Sequence, residues 1–199
     1  MMTATILLVR HAAHSDLGRV LSGRVGEVPL SAAGTAQVNR LTARLDGEAL
    51  HAVHTSPVRR AQETALAVAR RRGIAVEVAE PLNEIDFGEW SGKGFAELEQ
   101  DLRWREWNAR RGDAATPSGE TMLAVQQRVL DHLRRVASTA TGLIVAMVTH
   151  ADVIRAAVAG ILGLSLNRIL SFDIDAASVT RIAAGPWGER LISLNERVV

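Results

Sequence analysis

Two histidines stand where buried runs of apolar residues end. His11 follows the run Ile6–Val9 and is preceded by Arg10, and His150 follows the run Leu143–Val148. An arginine guanidinium binds phosphate oxygens through two parallel hydrogen bonds. A neutral imidazole is a nucleophile that can attack phosphorus and form a covalent intermediate. These residue types therefore favour the chemistry of phosphate esters.

Two more arginines and a carboxylate can belong to the same site. Ser56 and Pro57 are typical of the N-cap and the first position of a helix, which predicts that Arg59 and Arg60 lie in its first turn. Backbone N–H groups at a helix N-terminus are additional donors for an anion. Glu84 lies in a loop-like stretch, from which its carboxyl can donate a proton to a leaving group.

The elements that must position these residues alternate between strand-like and helix-like runs. This order predicts a three-layer α/β fold, with a mostly parallel sheet covered by helices on both faces. Ligands of such sheets bind beyond the carboxyl ends of the strands, so we expect His11, Arg60 and His150 to meet at one edge. The predicted strands are Ile6–Val9, Leu50–Thr55, Val76–Val78, Leu143–Val148, Ile169–Ile174, Ser178–Ile182 and Leu191–Leu194.

The segment 82–119 is less regular than the rest of the chain and contains three of the four tryptophans. We predict that it is a long crossover carrying one helix, which forms a partial lid. Other helices are predicted to begin at Ser31 and Ser118. The length of 199 residues suits one domain, so we expect a single domain over residues 1–199.

Composition argues against several classes of protein. The formal net charge of +1, from 23 Lys and Arg against 22 Asp and Glu, predicts neither a nucleic-acid partner nor a membrane surface. The chain has no cysteine, which excludes disulfides and thiolate metal sites. No apolar run reaches the roughly 18 residues of a membrane helix, and the first residues lack a signal-peptide pattern. We expect a cytoplasmic protein, and we leave monomer and homodimer open.

Six blocks of the sequence resemble, in order, the motifs of the histidine phosphatase superfamily, the phosphoglycerate mutase-like group. A single short motif is weak support for a family, whereas six in the family's order are specific. The blocks are Leu8–His11, Ser22–Gly34, Thr55–Ala65, Leu82–Gly92, Pro117–Thr121 and Val148–Arg155.

The resemblance implies a role for each matched residue. His11 would be the nucleophile that forms a phosphohistidine, and Glu84 would protonate the leaving oxygen and then help to activate water. No metal or other cofactor is implied, because phosphoryl transfer mainly needs positioning and neutralisation of charge. The residues implied to hold the phosphoryl oxygens or to contact the substrate are Arg10, Arg60, His150, Ser22 and Gly23.

Two departures from the family pattern lie beside the histidines. Ala12 and Ala151 stand where the family usually has glycine. Alanine is costly at these positions only if the backbone needs a positive φ. The departures therefore bear on the size of the pocket and on the rate more than on the type of reaction.

The resemblance implies a phosphatase that acts on a phosphate ester of a small metabolite. A phosphoglycerate mutase, an isomerase with the same intermediate, is the alternative. The segment Gly92–Pro117 is shorter than the corresponding insertion of mutases. Part of the positive charge of that insertion can come from Arg103, Arg105, Arg110 and Arg111. A non-catalytic phosphate-binding protein on the same fold is supported only by Ala12 and Ala151.

Overall fold

The computed structural model describes residues 3–25 and 27–197 and contains a six-stranded sheet. The order across the sheet is β3-β2-β4-β1-β5-β6; the first four strands run parallel, and β5 is antiparallel to both of its neighbours, β1 and β6. This confirms the predicted α/β class. The two ends of the domain predicted over 1–199, and Gly26, lie outside the described residues. The strands are β1 (Ala4–Arg10), β2 (Leu50–Thr55), β3 (Val76–Val78), β4 (Ile144–Thr149), β5 (Val179–Gly185) and β6 (Gly188–Glu196).

Six α-helices accompany the sheet in the described ranges, together with short 3₁₀ turns. No helix in those ranges is both long enough and apolar enough to cross a bilayer. The helices are α1 (Ala32–Leu45), α2 (Arg59–Arg70), α3 (Phe95–Leu98), α4 (Leu102–Ala109), α5 (Met122–Thr139) and α6 (Ala151–Leu162).

Successive residues of β1 point to opposite faces of the sheet and divide the core in two. Ile6 and Leu8 belong to a cluster with α5 and α6, whereas Leu7 and Val9 pack in a second cluster with α1 and α2. All four side chains are fully buried, as expected for a parallel strand covered on both faces. The end of β1 therefore lies in the middle of the carboxyl edge, between two helical layers.

The start of α2 differs from the prediction. The helix begins at Arg59 and not at Pro57, and Val58 is its extended N-cap residue. The Ser56 hydroxyl accepts a hydrogen bond from the N–H of Val58 at 3.2 Å, so Ser56 forms a turn before the helix and does not cap it. Arg60 nevertheless lies in the first turn, as predicted.

Two other predicted elements were wrong. Ser118 does not cap α5, because its backbone is left-handed (φ 58°) whereas an N-cap residue is extended; Thr121 is the cap instead. The run Ile169–Ile174 is not a strand, and a 3₁₀ helix occupies Leu166–Ser171, capped by Ser165. A short apolar run does not distinguish a strand from a helix, which explains the second error.

The crossover 82–119 contains two short helices, α3 and α4, where one was predicted. Its tryptophans form one aromatic cluster: the rings of Trp90 and Trp104 meet edge to face at 5.2 Å, and Trp104 stacks on Trp107 at 5.4 Å. Gly88 lies so close to the carbonyl of Pro117 that a Cβ atom there would be 1.8 Å away. The crossover is thus packed on itself.

A pair of histidines joins α5 to β2. Arg135 donates to Nδ1 of His132 at 2.8 Å, so His132 carries its proton on Nε2 and donates it to Nδ1 of His54 at 3.2 Å. Both imidazoles are neutral in this arrangement. Burial lowers the pKa of both residues, that of His132 to about 4.

We expect this pair to make the fold sensitive to acid. Unfolded histidine binds a proton below its ordinary pKa of 6.5, whereas folded His132 does so only near 4, so the free energy of unfolding falls as pH drops through this window. His132→Gln should reduce the fall between about pH 8 and about pH 5 by about 1–2 kcal/mol. Urea denaturation measures the effect, with the variant of exposed His51 (His51→Gln) as control. An unchanged fall in His132→Gln would contradict the assignment.

Candidate active site

The loop that carries His11 is held against the first two helices. The N–H of Ala12 donates to Oγ1 of Thr64 on α2 at 3.1 Å. A Cβ atom at Gly34 on α1 would lie 1.9 Å from the carbonyl oxygen of Ala13, so only glycine allows this close approach. The loop that follows β1 is therefore fixed by contacts with both helices of one layer.

The hydrogen bonds of His11 determine its tautomer. Nδ1 lies 2.8 Å from the carbonyl of Ala12, and because a carbonyl only accepts, Nδ1 carries the proton. Nε2 is left with its lone pair, to which Nε of Arg60 donates at 3.1 Å. Burial, and then the charges of Arg60 and Arg10, hold the pKa of His11 well below its usual range. The ring is therefore a neutral nucleophile with Nε2 as the reactive atom.

Arg60 is the centre of the site. Its side chain is only 2% exposed, and its Nη2 donates to the carbonyl of Gly23 at 2.9 Å and to Nδ1 of His150 at 3.2 Å. The same Nη2 lies 3.8 Å from Oε2 of Glu84. Within the described residues, its Nη1 has no hydrogen-bond partner. One guanidinium thus connects both histidines with the carboxylate.

His150 stands at the end of β4 and at the N-cap of α6. Because Nδ1 accepts from Arg60, the proton lies on Nε2, which donates to the hydroxyl of Ser56 at 2.8 Å. Burial and the neighbouring Arg60 lower the pKa of His150 well below its usual range. Ser56 was not predicted as a site residue, although its place in the Ser-Pro block after β2 was a signal that could have found it.

Glu84 brings a carboxyl group to the same point. Its Oε2 lies 3.4 Å from Nδ1 of His150, and its Oε1 accepts from the N–H of Ile85 at 3.0 Å. Burial, and then the negative charge of Asp152, raise the pKa of Glu84 to about 7, against the opposing effect of Arg60. The carboxyl group is therefore a proton donor at neutral pH.

The remaining predicted residues, Arg10, Ser22 and Gly23, also line the cavity. Nη1 of Arg10 donates to the carbonyl of Ile174 at 2.6 Å. Nε of Arg10 and Oγ of Ser22 are buried and have no partner among the described residues. Gly23 has a φ of 52°, and this left-handed backbone directs its carbonyl to Arg60. All seven predicted residues thus converge on one site.

The cavity has a volume of about 340 Å³ and extends beyond the histidines to a second polar group. There the half-buried Asp152 accepts from Arg111 at 2.8 Å and from Arg155 at 3.1 Å. Although burial opposes it, the two arginines lower the pKa of Asp152 below its ordinary value. These three residues carry one net positive charge. Phe87, Phe95 and Trp104 are apolar residues of the cavity lining.

Part of this lining was not among the predicted site residues. His14 is 7% exposed, and its ring lies 5.4 Å from that of His11, so its side chain is buried beside the nucleophile. Burial lowers its pKa to about 4. Asp152 follows His150 by two residues in a matched block, a signal that could have found it, whereas nothing in the sequence connects Arg111 with Asp152.

The two alanines beside the histidines are accommodated without strain. Neither Ala12 nor Ala151 has a positive φ; among the described non-glycine residues only Ser118, Ala177 and Asn195 do. The backbone at both positions therefore carries a side chain at no conformational cost.

Comparison with known proteins gives the family. Residues 6–197 match the sequence model described as "Histidine phosphatase superfamily (branch 1)". The chain is 30% identical over 194 residues to phosphoserine phosphatase 1 of Hydrogenobacter thermophilus, covering 96% of this chain and 91% of that one. It is 27% identical over 195 residues to the adenosylcobalamin/alpha-ribazole phosphatase of Escherichia coli, covering 96% of each.

A solved structure has the same fold. Bacillus stearothermophilus YhfR is 28% identical and superposes with a TM-score of 0.91, over 97% of both chains. The chain belongs to the histidine phosphatase superfamily, as the six sequence blocks predicted.

The contacts of Asp152 generate a prediction about Glu84. We expect the Glu84 carboxyl to titrate near pH 7, and Asp152→Asn to lower this pKa, because a negative charge is removed and two arginines are released. Carbon-13 NMR of labelled glutamate measures it, with the resonance assigned through its loss in Glu84→Gln. Asp131→Asn, at an exposed site on α5, should leave the titration unchanged. A Glu84 that titrates near 4.5 in the wild type contradicts the assignment.

Proposed function

We propose that this protein hydrolyses phosphomonoesters of a small metabolite through a phosphohistidine on His11. The observation that carries the proposal is the burial of one guanidinium, Arg60, against His11, His150 and Glu84. A neutral imidazole whose Nε2 carries the lone pair supplies the nucleophile, and a carboxyl with a pKa of about 7 supplies the acid. Two such groups beside a buried cation are the parts that phosphoryl transfer requires.

In the first step, Nε2 of His11 forms a bond to phosphorus as the ester P–O bond breaks. The leaving oxygen takes the proton of Glu84 and departs as an alcohol. Arg10 and Arg60 carry the charge of the phosphoryl oxygens. A bound dianion also favours protonation of His150 at Nδ1, because an opposite charge raises the pKa of an imidazole.

In the second step, water replaces the alcohol. The Glu84 carboxylate takes a proton from the water as its oxygen bonds to phosphorus, and the P–N bond to His11 breaks. Inorganic phosphate leaves, and both residues return to their starting protonation states. The same carboxyl thus acts first as acid and then as base.

The size and lining of the cavity support a small substrate. A volume of about 340 Å³ is at the lower end of the range of about 300–1,000 Å³ typical of small-molecule sites. The relatives named phosphoserine phosphatase and adenosylcobalamin/alpha-ribazole phosphatase support a metabolite ester as well. We propose a single domain that acts in the cytoplasm without a metal, and we leave the oligomeric state open.

The alternative of a mutase needs room for a second strong anion. Besides Arg10 and Arg60, the arginines that line the cavity are Arg111 and Arg155, and both bind Asp152. Asp152 cancels half of their charge, which disfavours a second phosphate dianion there. This arrangement supports hydrolysis over isomerisation.

We expect His11→Ala to abolish turnover and leave the fold intact, because no other neutral nucleophile occupies the position of Nε2. Phosphate release from a panel of metabolite esters, with and without chelator, measures the loss. His51→Ala, on the surface, is the matched control and should keep wild-type rates. Activity of His11→Ala within about tenfold of wild type would exclude the nucleophile assignment.

The same panel tests the alternatives. If no ester of the panel releases phosphate, the mutase becomes the better supported function, and it is then assayed with a bisphosphoglycerate primer. Failure of both assays supports a phosphate-binding protein. Release that stops with chelator contradicts the metal-independent mechanism.

We expect Glu84→Gln to slow esters with poor leaving groups far more than activated ones. An alkoxide needs a proton as it departs, whereas p-nitrophenolate does not, so the loss should be about 100-fold for an alkyl phosphate and less than about tenfold for p-nitrophenyl phosphate. Steady-state kinetics with both substrates measure it. Equal slowing of the two argues against Glu84 as the acid.

A further inference from the structure

Glu120 lies just before α5 and outside the lining of the cavity. Its Oε1 accepts from Nε of Arg128 at 2.8 Å. Its Oε2 accepts from Nη2 of Arg24 at 2.8 Å, from Nη2 of Arg128 at 3.1 Å and from the N–H of Asp86 at 3.2 Å. One carboxylate thus connects an arginine of the loop after β1, an arginine of α5 and the backbone near Glu84.

Both arginines converge on the peptide of Glu84. Nε of Arg24 donates to the Glu84 carbonyl at 2.7 Å, and Nη2 of Arg128 donates to the same oxygen at 3.3 Å. Arg128 also holds the carbonyl of Pro81 through Nη1 at 2.7 Å. Two guanidinium groups fixed by one carboxylate therefore hold the backbone of a residue whose side chain enters the cavity.

The segment around Glu84 has no regular structure to hold it. Residues 84–87 belong to neither helix nor strand. The N–H of Glu84 is held by Oδ1 of Asn83 at 2.9 Å, and the carbonyl of Asp86 accepts from the N–H of Glu120 at 2.9 Å. Glu120 thus contacts this segment through both its backbone and its side chain, where a helix or a sheet would otherwise supply the bonds.

From this geometry we propose that Glu120, through Arg24 and Arg128, is a positioning residue that keeps the Glu84 carboxyl aligned for proton transfer. The inference rests on the proposed role of Glu84 as the acid. The Glu84 carboxyl has to remain 3.4 Å from His150, and a displacement of about 1 Å costs about 100-fold in rate when reacting groups must be aligned. Arg24 adjoins Gly23, whose carbonyl binds Arg60, so one network fixes the acid and the cation together.

A double-mutant cycle between Glu84→Gln and Glu120→Gln tests the proposal. If Glu120 acts through Glu84, Glu120→Gln slows an alkyl phosphate by about tenfold or more and p-nitrophenyl phosphate by less than about threefold. In the Glu84→Gln background it adds less than about twofold with either substrate. The effect should fall on kcat and leave KM for p-nitrophenyl phosphate unchanged.

Glu196→Gln is the matched control. Glu196 is also bound by two arginines, Arg44 and Arg181, and its side chain is 21% exposed, the same as that of Glu120. It should lose as much stability as Glu120→Gln and show no dependence on the leaving group. Arg24→Met removes one of the two arginines through which Glu120 holds Glu84, at a more exposed site. If Glu120→Gln does not fold, the leaving-group dependence is measured with Arg24→Met instead.

Four results overturn the proposal. Equal slowing of both substrates by Glu120→Gln, or a full loss that persists in the Glu84→Gln background, shows a merely structural ion pair. If Glu84→Gln shows the leaving-group effect but neither Glu120→Gln nor Arg24→Met does, the positioning role of Glu120 is refuted and the proposed function stands. If Glu84→Gln itself shows no leaving-group effect, the role of Glu84 as the acid is refuted, and the positioning role of Glu120 is refuted with it.

Discussion

A buried positive charge at the carboxyl edge of the sheet is the constraint on which the site depends. Burying a guanidinium costs several kcal/mol unless it is paired and hydrogen-bonded. Arg60 finds its acceptors in two distant parts of the chain: His11 and Gly23 in the loop after β1, and His150 after β4, with Glu84 nearby. The strands and the crossover must therefore all be in place before this charge is satisfied.

The same burial sets the protonation states of the site. It lowers the pKa of His11 and His150 and raises that of Glu84, because in each case the charged form is the one that loses its water. The charge of Arg60 keeps the imidazoles neutral, and the charge of Asp152 helps to keep the carboxyl protonated. A neutral nucleophile and a carboxyl group that can donate a proton thus share one site near neutral pH, the arrangement that the proposed phosphoryl transfer needs.

The crossover between β3 and α5 positions Glu84 and part of the cavity lining without long helices or strands. α3 and α4 are four and eight residues long, lengths that are marginal for isolated helices, and their order comes from tertiary contacts. Trp90, Trp104 and Trp107 pack together, and Trp104 also lines the cavity. On the other side of the crossover, the ion pairs of Glu120 replace the missing regular hydrogen bonds around Glu84.

The class of fold and the convergence of His11, Arg60 and His150 can be predicted from the amino-acid sequence, because apolar runs mark buried parallel strands and the carboxyl ends of such strands share one edge. Glu84 was added by the matched blocks, since periodicity alone left it a weak hypothesis. The tautomers, the direction of each pKa shift and the bond between Arg111 and Asp152 became known from the folded structure. These depend on burial and on partners far apart in the chain, and no local pattern of residues records either.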